Sequence, residues 1–467
     1  MNQTPNKSSL ELLKEIPSID ELCKILEIEK YPFPTEILKK ELKKTVASIR
    51  KKIIANEIVN NIKKIVLDKS KESLVKNTSF GIDKVINGTG IVLHTGFGRA
   101  PISKEIFIKS FEKIYPYSNL EFDVHKNKRG DRNLIVQNLI NPLVGSQSCL
   151  VVNNCAAALL LTLNSLSENS EVVISRGQQV EIGGSFRIPE IIKKAGCQIK
   201  DVGTTNKTHA QDFIEAISSK TGVLLYAHTS NYRVVGFTNE ISVFEMSKIA
   251  KKNKIPLVVD AGSGCITKFE KFDMPTEKLN KSYFKDGADI VMFSGDKLLG
   301  GPQCGIIAGK KKYIDIIKKN SLYRVLRADK LTFSILDSIL RTYKSNSKFL
   351  SENLALKLLT RTRGDLEKFI TKLLDNLGTK IVKKYGIEVI TTKVEAGSGA
   401  MPINSIKSSG ITFDSRKITP NKISKKFRNC STPIIGHIKE NRFIIDFKAI
   451  PDDCFENLLK TFKEVLK

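Results

Sequence analysis

Phe293-Ser294-Gly295-Asp296-Lys297-Leu298-Leu299-Gly300-Gly301-Pro302-Gln303-Cys304-Gly305 is the stretch that decides how this chain is read. The apolar run Ile290 to Phe293 reads as a buried strand that enters a small polar turn. One lysine follows the turn, a glycine pair follows the lysine, and a second apolar run, Ile306 to Ala308, comes next. A lysine placed this way is held at a strand end and points into a cleft. A Schiff-base lysine needs that: a fixed position, partial desolvation to lower its pKa, and room for a flat cofactor. The same pattern suits an ordinary surface lysine in a chain with 76 Lys and Arg residues. The motif alone leaves both readings open.

Upstream, Pro256-Leu257-Val258-Val259-Asp260-Ala261-Gly262-Ser263-Gly264 is an apolar strand that ends in an aspartate and small residues. In pyridoxal phosphate (PLP) enzymes of the aminotransferase-like class, an aspartate at such a strand end keeps the pyridine nitrogen protonated, so the ring can act as an electron sink. Asp260 precedes Lys297 by one helix-and-strand unit, a workable separation for neighbours in a parallel sheet. Taken alone, Asp260 also suits a helix cap or turn residue, the less favoured of the two readings. A third segment supplies a phosphate site. Cys149 to Val152 reads as a strand, and Asn153-Asn154-Cys155-Ala156-Ala157 as a helix start. Small residues there expose backbone N–H groups at the positive end of the helix dipole. Asn154, Cys155 and Ala156 are the expected phosphate contacts, and Ser294 adds a hydroxyl.

Apolar runs recur at Cys149–Val152, Glu171–Ser175, Gln198–Val202, Gly222–Ala227, Ile255–Asp260, Ala288–Phe293 and Gly305–Ala308. Helical stretches lie between most of them, which predicts a mostly parallel sheet with helices on both faces. Ligands sit at the carboxyl ends of such strands, where Asn154, Asp260 and Lys297 fall. Residues 9–80 lack glycine and read as short helices broken at Pro17, Pro32 and Pro34. Within them Leu42, Val46, Ile49 and Ile53 recur at helical spacing, so Lys43, Lys44, Lys51 and Lys52 crowd the other face. That face is either a phosphate-binding stripe or simply solvated. The tail is expected to open with a long helix, Tyr343 to Leu377, closed by Gly378. Short strands such as Ile387–Thr391 and Arg442–Phe447 follow, as in a small α+β domain.

The 467 residues suffice for two or three domains, and 41% hydrophobic content supports a core. The net charge of +27 favours polyanionic partners without base specificity. The alternative reading of this charge is an organism-wide lysine bias, to which the Lys/Asn/Ile-rich style points. Residues 1–80 carry sixteen basic against eleven acidic residues, close to the chain average. Eight cysteines without Cys-x-x-Cys pairs read as reduced thiols, and the five histidines lack metal-ligand spacing, so no metal site is expected. No apolar stretch is long enough to span a bilayer and no signal core opens the chain, so cytoplasm is the expected location.

Several blocks, in order, resemble the bacterial L-seryl-tRNA(Sec) selenium transferases, or selenocysteine synthases. They are Ile86-Asn87-Gly88-Thr89-Gly90 through Arg99-Ala100-Pro101, Tyr117-Ser118-Asn119-Leu120-Glu121-Phe122-Asp123, and Arg176-Gly177 through Pro189. Val202 through Thr208, His228 through Phe237 and the lysine motif complete the set. The resemblance covers nearly the whole length. It departs at Gly96-Phe97, where the family usually has Asn-Leu. It departs again at Gly436-His437 and Asp446-Phe447-Lys448, where Gly-Arg and Asp-Leu-Arg are usual.

The resemblance implies an α/β fold of the PLP-dependent aminotransferase-like type (fold type I). A helical tRNA-binding domain would span 1–83, a catalytic large domain 84–345 and a small α+β domain 346–467. It implies conversion of L-seryl-tRNA(Sec) to L-selenocysteyl-tRNA(Sec) with selenophosphate, through a PLP aldimine on Lys297 and an aminoacrylyl-tRNA. Asp260 would serve the ring nitrogen, and Asp296 proton transfer or a turn. Arg99, Arg324 and Arg327 would bind the selenium donor; the last two, three apart, are expected on one helix face. A large homo-oligomer is expected, a ring of dimers of which a decamer is one form. The alternative is a related PLP-dependent ammonia-lyase or sugar-acid enzyme of the same fold, and residues 1–80 argue against it.

Overall fold

The computed structural model describes residues 9–467 except 56, 59, 79–80, 183–185, 230–231, 233, 345–348 and 402–405. The sequence motifs at Gly183-Gly184-Ser185, Ser230-Asn231 and Arg233 lie outside the described residues, as do the chain's first residues and the expected boundary at 345/346. The chain divides into two compact units, Met1–Lys84 and Val85–Lys467.

The first unit is helical: α1 (Ser9–Lys14), α2 (Ile19–Ile25), α3 (Thr35–Ile54) and α4 (Ile62–Thr78). Ser18 caps α2 by accepting from the Glu21 N–H at 3.1 Å. Leu38, Leu42, Val46, Ile49 and Ile53 of α3 are buried against Leu12, Leu22, Ile62, Val66 and Leu74. The spacing of four, four, three and four residues makes one stripe of a 3.6-residue helix, as expected. Lys43, Lys44, Lys51 and Lys52 are exposed.

The second unit is built on a seven-stranded sheet: β1 (Ser148–Val152), β2 (Glu171–Ser175), β3 (Gln198–Val202), β4 (Thr221–Ala227), β5 (Leu257–Gly262), β6 (Ile290–Ser294) and β7 (Gly305–Gly309). The order is β1-β7-β6-β5-β4-β2-β3. All pairs are parallel except those of β7, which runs antiparallel to both neighbours. The Gly295–Cys304 segment is too short for a crossover helix, so the chain turns back. Strands β1, β6 and β7 are buried along their whole length, as strands covered by helices on both faces are. The expected α/β class is the one found.

Elements the site uses are α5 (Lys104–Glu112), α6 (Leu134–Val144), α7 (Cys155–Ser167), α8 (Ser321–Leu326) and α9 (Lys330–Thr342). The single helix expected from Tyr343 to Leu377 is not found. Tyr343 caps α9, and α10 (Phe349–Glu352), α11 (Leu354–Thr360) and α12 (Arg363–Leu377) are separate. Two polar caps interrupt the pattern. Asn353 accepts from the Leu356 N–H at 3.2 Å, and Thr362 forms a capping box with Asp365. The C-terminal sheet comprises β8 (Glu388–Val394), β9 (Ile406–Thr412), β10 (His437–Lys439) and β11 (Arg442–Asp446), in the order β8-β9-β11-β10.

Candidate active site

The lysine loop is tied shut by its own backbone. Gly295 N–H donates to the Cys304 carbonyl at 2.9 Å, Gly301 N–H to Gly295 at 2.8 Å, and Leu298 N–H to Ser263 at 3.0 Å. Gly300 adopts φ +71°, and a Cβ there would fall 2.3 Å from the Asn353 amide. Only glycine lets α11's cap close on the loop. Lys297 is thereby 4% exposed. Its Nζ donates to the Gly399 carbonyl at 3.3 Å. Burial lowers its pKa, while Asp260 and Asp296 oppose that shift.

Asp260 lies near the end of β5. Its Oδ1 accepts from the Gly262 N–H at 3.1 Å and lies 3.6 Å from the Cys155 Sγ. Burial raises its pKa, with the Lys297 charge the largest opposing influence. Cys155 opens α7, and burial drives its thiol pKa far up. It is therefore a thiol and not a thiolate. Asn154 caps α7, accepting from the Ala157 N–H at 2.8 Å. A Cβ at Gly305 would sit 2.1 Å from the Asn154 carbonyl, so glycine lets β7 pass under this helix start. Ser294 is buried at the end of β6, where its hydroxyl acts to lower the Cys155 thiol pKa against the effect of burial. Asp260 thus meets the start of α7 through Cys155, and Lys297 lies close enough to both for its charge to act on them.

Arg99 follows Gly98 in a left-handed turn, with φ of 65° and 88° respectively. Phe97 and Arg99 N–H groups both donate to the His94 carbonyl, at 3.1 and 3.0 Å. The Phe97 ring stacks on His94 at 4.2 Å, and this stack is what the Gly96-Phe97 departure builds. Arg99 Nε lies 3.5 Å from Asp296 Oδ2. Asp296 is buried, and burial raises its pKa against the pull of Arg99.

Arg324 and Arg327 do not share a helix face. Arg324 lies in the last turn of α8, but the helix stops at Leu326 and Arg327 is extended, with ψ 141°. The Asn153 N–H takes the Leu326 carbonyl at 2.9 Å and Arg327 bridges Val152. The sheet edge thus captures the chain before another turn forms. Arg327 stands beside the end of β1, two residues from the start of α7; Arg324 is exposed.

His228, Glu277 and Gly399 were not singled out from the sequence. His228 follows β4, its N–H donating to the Asp260 carbonyl at 2.8 Å. Its Nε2 lies 3.5 Å from Glu277 Oε1, which also accepts from Ser263 Oγ at 2.7 Å. A polar residue ending the strand next to Asp260 was findable. Glu277 and Gly399 lie on irregular segments and give no local signal. A cavity of about 410 Å³, lined in part by Gln178, Tyr226, His228, Glu240, Glu277 and Met401, adjoins the cluster. Its size suits a small-molecule site.

A family model described as L-seryl-tRNA selenium transferase matches residues 85–451. The chain belongs to this family. An L-seryl-tRNA(Sec) selenium transferase of Clostridium botulinum (strain 657 / Type Ba4) is 38% identical over 459 residues, 98% of this chain and 99% of that protein. One from Geobacter sulfurreducens is 38% identical over 392 residues, 84% of this chain and 85% of that protein. Among solved structures, D-glucosaminate-6-phosphate ammonia-lyase superposes with a TM-score of 0.58 at 18% identity, covering 83% of this chain and 96% of that one. That likeness shows the shared fold alone.

The residues fit PLP as the family's fold requires. A buried lysine amine would hold the aldehyde, Asp260 the ring nitrogen, and the α7 start with Ser294 the phosphate. Among the described residues no His, Cys, Asp and Glu group is arranged to hold a metal.

The depressed Lys297 pKa has a consequence for the cofactor-free protein. The unfolded chain protonates this lysine at its ordinary value of 10.5, the folded chain only at lower pH. Burying it therefore costs stability fully below the folded pKa, and the cost fades as pH rises towards 10.5. Lys297→Met apoprotein is expected to melt above wild-type apoprotein at neutral pH, with the gap closing by about pH 10. A gap that widens with pH in thermal melts would refute this sign.

Proposed function

We propose that this protein converts L-seryl-tRNA(Sec) to L-selenocysteyl-tRNA(Sec), with PLP as cofactor and selenophosphate as selenium donor. The carrying observation is the buried Lys297 amine, clustered with Asp260 and the start of α7 in a chain of the selenium transferase family. When bound, PLP supplies a sink for the electron pair released at the seryl α-carbon.

The protein's own groups do the rest. Burial disposes Lys297 to be neutral, so its Nζ accepts the α-proton. Asp260 would face the ring nitrogen of the bound cofactor and keep a proton there. Asp296, whose buried carboxyl resists ionisation, gives a proton to the departing β-hydroxyl, which leaves as water. Arg99, Arg324 and Arg327 hold the phosphate oxygens of the donor while selenium bonds to the β-carbon, Lys297 returns its proton to the α-carbon, and water cleaves the phosphorus–selenium bond so that inorganic phosphate leaves; guanidinium forks suit such oxygens.

This assigns arginine function to selenium delivery and not to elimination. Replacing Arg99 or Arg327 by Ala removes a charge-assisted contact of ~1.5–3 kcal/mol. The expected result is about a ten- to hundredfold loss, by the same conversion, expressed against selenophosphate. Arg→Lys should rescue poorly, because an ammonium makes no bidentate fork. Incubation with seryl-tRNA and no donor separates the steps: the variants should still release the seryl hydroxyl. If hydroxyl release is lost, the arginines serve the seryl-tRNA end or the cofactor.

Residues 1–83, within the helical unit Met1–Lys84, are the proposed tRNA-binding domain, with the exposed Lys43, Lys44, Lys51 and Lys52 facing the phosphate backbone. The proposed catalytic and small domains are residues 84–345 and 346–467. A ring of dimers is the proposed assembly. Phe107 and Phe111 on α5, with Tyr115 stacked on Phe111, are 55%, 51% and 69% exposed. An aromatic row left open to this extent suits a second copy of the chain. Among the described residues no helix is long and apolar enough to cross a membrane; the proposed location is the cytoplasm.

A further inference from the structure

Glu121 has no role in the chemistry above, yet three guanidiniums converge on it. Its Oε1 accepts from Arg132 Nε at 2.7 Å and Nη2 at 2.5 Å, and from Arg327 Nη1 at 3.3 Å. Its Oε2 accepts from Arg129 Nη2 at 3.0 Å. Glu121 leads into a short hairpin, Phe122–Asp123 paired with Lys128–Arg129, whose base is closed by the Gly130 N–H on the Glu121 carbonyl at 3.0 Å.

The three arginines are not equivalent. Arg132 is 9% exposed, and its Nη1 donates to the Ala328 carbonyl at 2.6 Å. With both remaining nitrogens on Glu121, it is fully engaged and braces the segment that carries Arg327. Arg129 is on the surface. Arg327 uses only Nη1; its other guanidinium nitrogens have no hydrogen-bond partner among the described residues. One carboxylate among three guanidiniums leaves the cluster with a net positive charge, so the pairing orients Arg327 without neutralising the site. Neighbouring contacts lock the frame. Asn133 accepts from the Val151 N–H at 3.1 Å and donates to the Tyr323 hydroxyl at 2.7 Å, joining β1 to α8.

We propose that Glu121 is a positioning residue for selenium delivery: it holds Arg327 at the end of β1 so that the free donors of its guanidinium meet the anionic donor. This rests on the reading of Arg327 as a donor-binding residue. A long side chain free to sample rotamers loses that freedom on binding an anion, and a carboxylate that fixes it beforehand removes most of this cost.

The test is steady-state kinetics of the PLP holoenzyme with selenophosphate and seryl-tRNA varied separately. Glu121→Gln should raise KM for selenophosphate about tenfold, the expected loss for one charge-assisted contact. KM for seryl-tRNA and hydroxyl release without donor should stay as in wild type. In an Arg327→Ala background the same change should have no further effect on the donor KM, because Glu121 acts through that arginine. Should Glu121→Gln fail to fold, with Arg132 left half-paired, Glu121→Asp keeps the charge and should give the same split, smaller in size. Both KM values rising together, or an undiminished effect in the Arg327→Ala background, would show a merely structural role and overturn the proposal. If Arg327→Ala itself leaves the donor KM unchanged, the donor-pocket reading fails and this proposal with it. An effect of Arg327→Ala without one of Glu121→Gln overturns the positioning role alone.

Discussion

Lys297→Ala is expected to abolish turnover and to leave a colourless, folded protein. Wild-type protein reconstituted with PLP should absorb in the visible range, and borohydride should fix the cofactor covalently on Lys297. Loss of a positioned proton-transfer group alone is typically worth ~10²–10⁴-fold, and the covalent anchor of the cofactor is lost with it. The fold should survive. The loop around Lys297 is held by backbone bonds and by Asn353, whose amide Nδ2 donates to the Leu299 carbonyl at 3.0 Å. None of these bonds involves the lysine side chain. Far-ultraviolet circular dichroism should therefore match wild type. Peptide mapping that places the reduced adduct on any other lysine would overturn the site.

The second large effect concerns RNA. A chain beginning at Val85 retains the whole second unit and should bind PLP, but tight binding of tRNA(Sec) should be lost. In the full chain, replacing Lys43, Lys44, Lys51 and Lys52 by Gln should flatten the salt dependence of binding. Each lost phosphate contact lowers the log–log slope by roughly 0.7–0.9, about three units for all four. A truncated protein that bound tRNA(Sec) as tightly as the full chain would leave the helical unit in need of another role. The α3 stripe is outward-facing because its opposite face is filled by Leu38, Leu42, Val46, Ile49 and Ile53.

Most of the strands were legible because a sheet covered on both faces leaves continuous apolar runs; the edge strand Gln198–Val202 is largely exposed and mixed in polarity. Glu171–Ser175 and Gln198–Val202 match the observed strands at both ends. The others shift by one or two residues. Lys297, Asp260 and Asn154 were legible for the same reason, since each follows or ends such a run. The helix expected from Tyr343 to Leu377 failed because Asn353 and Thr362 sit at positions where a helical pattern and a cap look alike. The cap won through a tertiary bond, from Asn353 to the lysine loop. The shared face of Arg324 and Arg327 failed similarly: helical spacing is meaningful only if the helix continues, and the edge of the sheet ended it at Leu326.

Short-range physics in the sequence determined the α/β class, the strand-end residues, the apolar stripe of α3 and the family motifs. Each depends on periodicity or on neighbours within a few residues. Tertiary structure alone decided that β7 turns back, that Gly399 caps the Lys297 amine, and that Glu121 gathers Arg129, Arg132 and Arg327. The Lys297–Gly399 contact spans 102 residues and the Glu121–Arg327 pair 206. Contacts of that reach leave no periodic trace, because they are set by where folded elements meet.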